Sequence, residues 1–332
     1  MKDWDGLEKN KNNINIFQQT PNNDGIWKNI LFTFDPVKKC DYLIVFNRCK
    51  NELKISCPVG NKWLIALEPS NAAFRWHNRS YKYFDKIYGF NKIYKYIYNN
   101  YILSHCTTQW QINKSYSFLK TVKPYSEGNN KTVSFITSSK NWMSGHQKRH
   151  IMLNYLTNHN YDIDVFGRGV NPIEDKFDAL YPYKYSIAIE NSIVPNYWTD
   201  KISDCFLSWT MPVYCGAPNI FEYFPRESIL YINPNNLSQS LNKINLAIKN
   251  KIWEKNLKAI KVARDLVLDK YQFFPFITKE IHNHQKFNKH PVSTDYYIPP
   301  NIAPWENGGQ DYVTVLRKIE WKLRRLLNIK PY

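Results

Sequence analysis

The chain has 332 residues, 43% of them hydrophobic and 16% aromatic, and this amount of apolar material excludes an intrinsically disordered protein. Its formal net charge of +17 favours a polyanionic partner, but a composition rich in Lys, Asn, Ile and Tyr throughout explains the same charge without any partner. We expect about two domains, because single hydrophobic cores stop growing near about 250–300 residues.

The first part of the chain alternates apolar blocks, typical of buried strands, with polar turns. Strands are predicted at 41–46, 62–67, 87–90 and 101–103. The second of these ends abruptly at Glu68, because Pro69 disfavours helical backbone at the residue before it and closes the strand there. Residues 120–131 are polar and carry a proline and a glycine, which is typical of a linker between domains.

A second series of strands and helices follows the linker. Strands are predicted at 132–137, 162–166, 186–189, 212–214 and 229–232, and helices at 145–156, about 200–209 and near 220–223. Strands that alternate with helices form parallel sheets covered on both faces. We therefore expect two Rossmann-like α/β domains, 1–125 and 126–272, that face one another across a cleft.

Residues 273–332 are expected to form a C-terminal extension. Within it, residues 311–330 carry apolar residues at helical spacing with basic residues between them, which predicts an amphipathic helix. Such a helix either packs on its own protein or lies on an anionic membrane surface.

Polar side chains of unusual variety follow the third strand of the second series. Asn191 and Asp200 offer groups that bind sugar or ribose hydroxyls, and Tyr197 offers a flat ring and a hydroxyl. Lys201, in the first turn of a helix, would meet a phosphate together with backbone N–H groups, and Arg168 follows another strand. Together they predict a nucleotide-diphosphate site. Taken singly, an N-cap, an exposed lysine and a turn asparagine are the alternatives.

One gapless segment carries a resemblance to a known family, and it reads YKYSIAIENSIVPNYWTDKISDCFLSWTMPVYCGAPNIFEYF. It resembles the donor-binding signature of the α1,3/4-fucosyltransferases, glycosyltransferase family 10, in the order of Glu-Asn, a Tyr-x-Thr-acid-Lys motif, a helix and a Pro-containing strand. Two departures are Asp200, where the family has Glu, and Ile189, where Phe is common.

The resemblance implies a GT-B architecture and inverting transfer of L-fucose from GDP-fucose to a sugar hydroxyl, without a metal cofactor. The acceptor is not carried over from the family, and we expect it to be a glycan or lipid-linked glycan. It implies donor-binding roles for Arg149, Arg168, Glu190, Asn191, Tyr197, Asp200 and Lys201. Arg168 and Lys201 would stabilise the leaving diphosphate. Glu68 takes the place of the family's catalytic base, which removes the proton of the attacking hydroxyl; its alternative is a carboxylate that caps the following turn.

Other interpretations are kept beside this one. A different nucleotide-sugar donor would leave the fold and the site unchanged. Asp162 and Asp164 form a DxD triplet that would hold a metal in a metal-dependent glycosyltransferase, although the start of a strand is the simpler interpretation. A nucleic-acid-binding protein is a second alternative, but the sequence contains no recognisable nucleic-acid-binding motif. A glycan-binding module is a third, and it would use aromatic residues such as Trp76 and Trp110. We expect no nucleic-acid partner.

The cysteines and the apolar segments bear on location. The six cysteines, Cys40, Cys49, Cys57, Cys106, Cys205 and Cys215, form no CxxC pair and show no metal-like spacing with histidine. We interpret them as thiols of a reducing compartment. The N-terminus has no apolar core of signal-peptide length, and no window of the chain is apolar over the length of a membrane span. We therefore expect a cytoplasmic protein, at most peripheral on the inner membrane face.

Overall fold

The computed structural model describes residues 15–68, 75–106, 110–125, 131–139, 144–287 and 292–302. These residues form two compact units. The first unit contains residues 34–68, 75–104 and 292–302, and the second contains 15–33, 105–106, 110–125, 131–139 and 144–287.

The described residues form strands, α-helices and short 3-10 helices. The strands are β1 Ile26–Trp27, β2 Ile30–Leu31, β3 Leu43–Phe46, β4 Leu53–Pro58, β5 Lys62–Ile65, β6 Lys86–Gly89, β7 Tyr101–Leu103, β8 Lys131–Ile136, β9 Asp164–Phe166, β10 Tyr183–Ile189, β11 Met211–Cys215, β12 Leu230–Tyr231 and β13 Ser293–Ile298. The α-helices are α1 Lys92–Ile97, α2 Tyr116–Thr121, α3 Ser144–Asn158, α4 Asp200–Leu207, α5 Leu237–Lys249, α6 Ile252–Lys255, α7 Leu257–Leu266 and α8 Phe273–Gln285. The 3-10 helices are Ile16–Gln19, Arg75–Tyr83, Lys176–Ala179, Ile220–Glu222 and Arg226–Ser228, and Val267–Tyr271 is a π-helical turn.

The first unit is built on a four-stranded parallel sheet of order β3-β5-β6-β7. Every residue of β3 and β5 is buried, as expected for parallel strands covered on both faces. β4 and β13 form a separate antiparallel ribbon. The predicted strand 62–67 ends as β5 at Ile65, and the chain then reaches Glu68 through Leu67, whose N–H donates to Asn47 Oδ1 at 2.7 Å.

The second unit contains a five-stranded parallel sheet of order β12-β11-β10-β8-β9. The chain runs outward from β8 to β9 on one side and then returns to place β10 on the other side of β8. The order of the sheet therefore reverses between β8 and β10. In open α/β sheets ligands bind at such a reversal, outside the carboxyl ends of the strands.

The core of the second unit lies on both faces of this sheet. Ala188 of β10 packs in one cluster with Ile202 and Phe206 of α4, while Ile187 packs on the opposite face with Met152 of α3. This alternation follows from the period of two along a strand. Helices on both faces of a parallel sheet confirm the predicted α/β class with two Rossmann-like units, the units of which a GT-B fold is composed.

The two units depart from the predicted domain boundaries of 1–125, 126–272 and 273–332. Residues 15–33 and 110–125 belong to the second unit, because Trp110 and Leu119 pack in the same core as Trp198. The start of the predicted linker at 120–131 is helical, since α2 extends to Thr121. The predicted extension is divided, because α8 belongs to the second unit and β13 pairs with β4 of the first.

The predicted basic helix over 311–330 lies outside the described residues, and its contact with a membrane stays a prediction. In the described parts of the chain, no helix has both the length and the apolar composition that crossing a membrane requires.

Candidate active site

A cavity of about 200 Å³ lies where the sheet order of the second unit reverses. Residues 136–138, at the end of β8, and 186–189, at the end of β10, form its floor. Its charged lining residues are Arg149, Lys176, Asp200, Lys201 and Asp204. Three of the predicted donor-binding residues, Arg149, Asp200 and Lys201, therefore line one cavity.

Glu190 fixes the loop that connects β10 to α4. Its side chain is fully buried, and its two carboxylate oxygens accept hydrogen bonds from the N–H and the hydroxyl of Thr199, at 2.8 and 2.9 Å. Burial raises the pKa of Glu190, while Lys201, with Nζ at 3.4 Å, opposes that shift. Glu190 thus lies beneath the site, where it orients the start of α4.

Thr199 is the N-cap of α4, with its hydroxyl oxygen accepting from the N–H of Lys201 at 3.4 Å. The capping alternative is thus correct for Thr199, whereas the carboxylate of Asp200 has other partners. Lys201 Nζ also donates to Thr199 Oγ1 at 3.2 Å. The predicted helix 200–209 ends at Leu207, because Trp209 has a left-handed backbone with φ of 59°.

Arg149 of α3 joins that helix to the end of β10. Its Nη1 donates to the carbonyl oxygen of Ile189 and to Oδ1 of Asn191, both at 2.9 Å. The start of α3 approaches the same backbone so closely that a Cβ on Gly145 would lie 2.4 Å from the backbone carbonyl oxygen of Glu190. Arg149 thereby sets the orientation of the Asn191 amide and leaves its NH2 group as the donor that Asn191 offers to a ligand.

Lys176 connects two carboxylates of α4. Its Nζ contacts Asp200 Oδ2 and lies 3.1 Å from Asp204 Oδ2. Asp204 is 1% exposed, and both of its oxygens accept from the N–H of Gln111 at 3.1 and 3.2 Å. Asp200 and Asp204 face the same way because they are four residues apart on a helix.

These contacts separate the pKa values of the two aspartates. Burial raises the pKa of Asp200, but Lys176 and Lys201 outweigh it and bring that pKa to about 2. Burial is dominant at Asp204 and raises its pKa to about 7, against the opposing effect of Lys176. The pKa of Lys176 is itself raised by the two aspartates, which overcome its burial. At neutral pH Lys176 and Asp200 are therefore charged.

Arg168 and Tyr197 have different positions from the cavity-lining residues. Arg168 follows β9 with an exposed side chain, and its carbonyl oxygen accepts from the N–H of Ser139 at 3.2 Å. It thus lies at the same edge of the sheet as the cavity, without lining it. Tyr197 is 4% exposed, so its ring is covered by the protein. Glu68 is half-buried after β5, in the first unit.

A buried aromatic layer supports the loop before α4. Trp198 is fully buried and stacks on His105 with ring centroids 5.2 Å apart and an interplanar angle of 6°. Burial lowers the pKa of His105 to about 4, so its ring is neutral at pH 7. Since a carbonyl oxygen only accepts, Nε2 of His105 carries the proton that it donates to Tyr271 O at 2.8 Å.

The DxD triplet lies at the opposite edge of the sheet. Asp164 is the first residue of β9, in agreement with the interpretation of the triplet as the start of a strand. Its Oδ2 accepts hydrogen bonds from the hydroxyl of Tyr183 at 2.7 Å and from Lys131 Nζ at 3.2 Å. Amino ends of parallel strands lie away from the ligand crevice. Among the described residues, no group of three or more His, Cys, Asp or Glu side chains could hold a metal ion.

Sequence reasoning missed Lys176, Asp204 and Gln111. Lys176 begins a 3-10 helix in a segment without a motif, and no local pattern indicates its two partners. Asp204 did carry a signal, because it is an acidic residue within the apolar face of α4. A charged residue at such a position requires a buried partner.

The comparisons with known proteins agree with the position of the cavity. Residues 126–254 match the model of glycosyltransferase family 10 (fucosyltransferase), C-terminal domain. The chain is similar to GDP-fucose protein O-fucosyltransferase 3 of Danio rerio, with 30% identity over 99 residues, or 29% of this chain and 22% of the relative. It is also similar to Alpha-(1,3)-fucosyltransferase B of Drosophila melanogaster, with 30% identity over 108 residues, or 31% of this chain and 24% of the relative.

Solved structures give more distant similarities. A crystal structure of an alpha1,3-fucosyltransferase with GDP matches with a TM-score of 0.41 and 16% identity, over 73% of this chain and 82% of that one. An alpha-glucosyltransferase in complex with UDP-glucose and DNA containing an abasic site matches with a TM-score of 0.47 and 11% identity, over 74% and 80% of the two chains.

The family match falls within the second unit. The chain spans less than a quarter of the length of the two curated relatives, 22% and 24%. Residues 126–254 therefore carry the C-terminal domain of glycosyltransferase family 10. The match confirms the family that residues 183–224 resemble.

Proposed function

We propose that the chain is an inverting glycosyltransferase that moves L-fucose from GDP-fucose to a hydroxyl group of a glycan or lipid-linked glycan. One observation carries the proposal. Every residue that lines the cavity at the sheet reversal falls within residues 126–254, the segment matched by the fucosyltransferase family model. The site and the family match therefore coincide in the same part of the chain.

The donor diphosphate is assigned to the cationic groups at this edge of the sheet. Lys201 lies in the first turn of α4, where backbone N–H groups and the helix dipole also favour an anion. Arg168 approaches from the end of β9 and makes charge-assisted hydrogen bonds to the same group. Together these cations stabilise the charge that develops on the leaving diphosphate, so the transfer requires no divalent metal.

The sugar and ribose hydroxyls are assigned to neutral and acidic groups beside those cations. Asn191 presents its NH2 group, because Arg149 holds its carbonyl oxygen. Asp200 presents a carboxylate that stays ionised across the physiological pH range, since Lys176 and Lys201 outweigh its burial and hold its pKa low. An ionised carboxylate accepts hydrogen bonds from adjacent hydroxyls, which is how it would select a ribose or a sugar.

Glu68 is assigned as the base that takes the proton of the acceptor hydroxyl. It follows a fully buried strand of the first unit and is itself half-buried. Single displacement with inversion requires one carboxylate that accepts this proton as the hydroxyl attacks. The acceptor itself is assigned only by class, as a glycan or lipid-linked glycan.

Nucleotide binding tests the donor assignment without requiring an acceptor. We would titrate the full chain with GDP, UDP, CMP and dTDP by calorimetry in the presence of EDTA. We expect GDP to bind at least tenfold more tightly than the other three. Preference for UDP, CMP or dTDP would replace the donor by another nucleotide-sugar, and a strict requirement for a divalent metal would contradict the metal-free mechanism.

A further inference from the structure

Two of the six cysteines lie side by side in the first unit. Lys39 and Ser56 form a parallel bridge, with the N–H of Ser56 donating to Lys38 O at 2.9 Å and the N–H of Cys40 donating to Ser56 O at 3.0 Å. One residue further along both segments, this register places Cys40 next to Cys57. Parallel neighbours lie about 5 Å apart, within the Cα separation that a disulfide requires.

The interaction between these neighbouring thiols lowers the pKa of Cys40 and raises that of Cys57, so Cys40 is the sulfur that ionises first. Cys57 Sγ itself donates to the carbonyl oxygen of Asp41 at 3.9 Å. Cys40 is also partly exposed, and it follows a run of exposed residues, 35–39, whereas Cys57 is fully buried. An accessible thiol of lowered pKa beside a second thiol is the arrangement of an attacking and a resolving cysteine.

We propose that Cys40 and Cys57 form a reversible disulfide by exchange with a low-molecular-weight disulfide such as oxidised glutathione. The Cys40 thiolate attacks one sulfur of the small disulfide, whose S–S bond breaks and releases one thiolate. Cys57 then loses its proton and attacks the Cys40 sulfur, which releases the second thiolate. The two cysteines are oxidised by two electrons, the small disulfide is reduced to two thiols, and those thiols take up the two protons.

The crosslink would join the segment before β3 to the β4–β13 ribbon. β3 pairs with β5, the strand that leads to Glu68, so the bridge would fix one edge of the sheet that positions the proposed base. Cys49, Cys106, Cys205 and Cys215 provide internal controls, because all four are buried cysteines that form no disulfide.

Peptide mapping tests the proposal on the unmodified full chain. The protein is equilibrated with mixtures of reduced and oxidised glutathione, quenched with acid, alkylated, digested and analysed by mass spectrometry. We expect a Cys40–Cys57 crosslinked peptide pair that disappears with dithiothreitol, while the other four cysteines remain alkylated. Alkylation of both Cys40 and Cys57 at every glutathione ratio would overturn the proposal, and so would a glutathione adduct that persists on Cys40.

Variants separate the roles of the two sulfurs. In Cys57→Ala we expect Cys40 to retain a glutathione adduct, because no resolving thiol remains. We also expect it to react with iodoacetamide several-fold more slowly, because the neighbouring thiol that lowers its pKa is lost. The matched control Cys49→Ala removes a buried thiol of the same unit and should leave the crosslink unchanged. A crosslink between Cys40 and any other cysteine in wild-type protein would contradict the assignment.

Discussion

The carboxyl ends of the two parallel sheets are organised in opposite ways. In the second unit, the cavity beyond β10 is bordered by ion pairs in which Lys176 and Lys201 contact Asp200, Asp204 and Glu190. In the first unit, the end of β5 is held by neutral groups, with Asn47 N–H donating to Ile65 O at 2.8 Å.

This difference indicates which variants separate chemistry from folding. The proposed donor-binding residues Asp200 and Lys201 of the second unit also form ion pairs, with Lys176 and Glu190 respectively, so removing either should change binding and stability together. Glu68 of the first unit is half-buried after β5, and the backbone before it is held by the hydrogen bond from Leu67 N–H to Asn47 Oδ1. Its replacement should therefore change turnover with little change in stability.

Glu68→Gln should have the largest effect on activity. Removing the proposed base should lower kcat by about 100-fold or more, because positioned acid–base groups contribute about 10²–10⁴-fold. Binding of the donor nucleotide should stay within about twofold. Steady-state release of GDP and a nucleotide titration measure the two quantities. Glu52→Gln, whose side chain is 59% exposed in the same unit, is the matched control, and wild-type turnover of Glu68→Gln would refute the base assignment.

Lys176→Met should have the largest effect on stability. It leaves two facing carboxylates without their shared cation, and breaking such a buried pair costs about 3 kcal/mol or more. Urea unfolding measures this loss, and GDP titration should show weaker binding because Asp200 loses its orientation. Adding Asp204→Asn should restore part of the stability by removing one of the two carboxylates. The two carboxylates repel one another, since Asp200 also raises the pKa of Asp204. A double variant less stable than Lys176→Met would contradict this repulsion as the cause of the loss.

His105 should make the second unit sensitive to acid. Its pKa falls from 6.5 to about 4 on folding because it is buried, so the unfolded chain binds its proton first as pH decreases. Between pH 7 and pH 4, wild-type protein should therefore lose about 3 kcal/mol of unfolding free energy relative to His105→Gln.

The comparison with His105→Gln cancels the opposing titration of Asp204 and Glu190, whose pKa values are raised by burial and which gain protons on folding as pH falls. Urea unfolding at several pH values measures the difference. A constant difference across this pH range would show that His105 keeps its proton in the folded state.

Lys201→Ala should have a smaller effect, spread over binding and turnover. A hydrogen bond to a charged group contributes about 2 kcal/mol, which corresponds to roughly a 30-fold loss in kcat/KM. Lys261→Ala, whose side chain is 61% exposed on α7, is the matched control. Unchanged kcat/KM in Lys201→Ala would remove this residue from the diphosphate site.

The sequence predicted the elements whose signal is local. The block 101–103 corresponds to β7, and the blocks at 132–137 and 186–189 correspond to β8 and β10 within a few residues, because continuous apolar runs bounded by polar turns indicate buried strands. The β4–β13 ribbon had no local signal, because its partners are more than two hundred residues apart in the chain.

The site shows the same division. Asp200 and Lys201 were predicted because they follow a strand and begin a helix, and both line the cavity. Lys176 was missed because its contacts with α4 depend on the tertiary fold. Glu190 was expected at the ligand, but its burial directs both oxygens to Thr199. Adjacent residues at a strand end point to opposite sides, and the sequence did not show which side is open.

The most direct test of the proposed fucose transfer is to measure release of the nucleotide from GDP-, UDP-, CMP- and dTDP-sugars. The assay contains EDTA and is run with and without a mixture of glycan acceptors. We expect release of GDP from GDP-fucose and from none of the other donors, and we expect an acceptor to stimulate it. Release from another GDP-sugar would contradict the assignment of fucose. Release from a UDP-, CMP- or dTDP-sugar, with none from GDP-fucose, would contradict the proposed function itself.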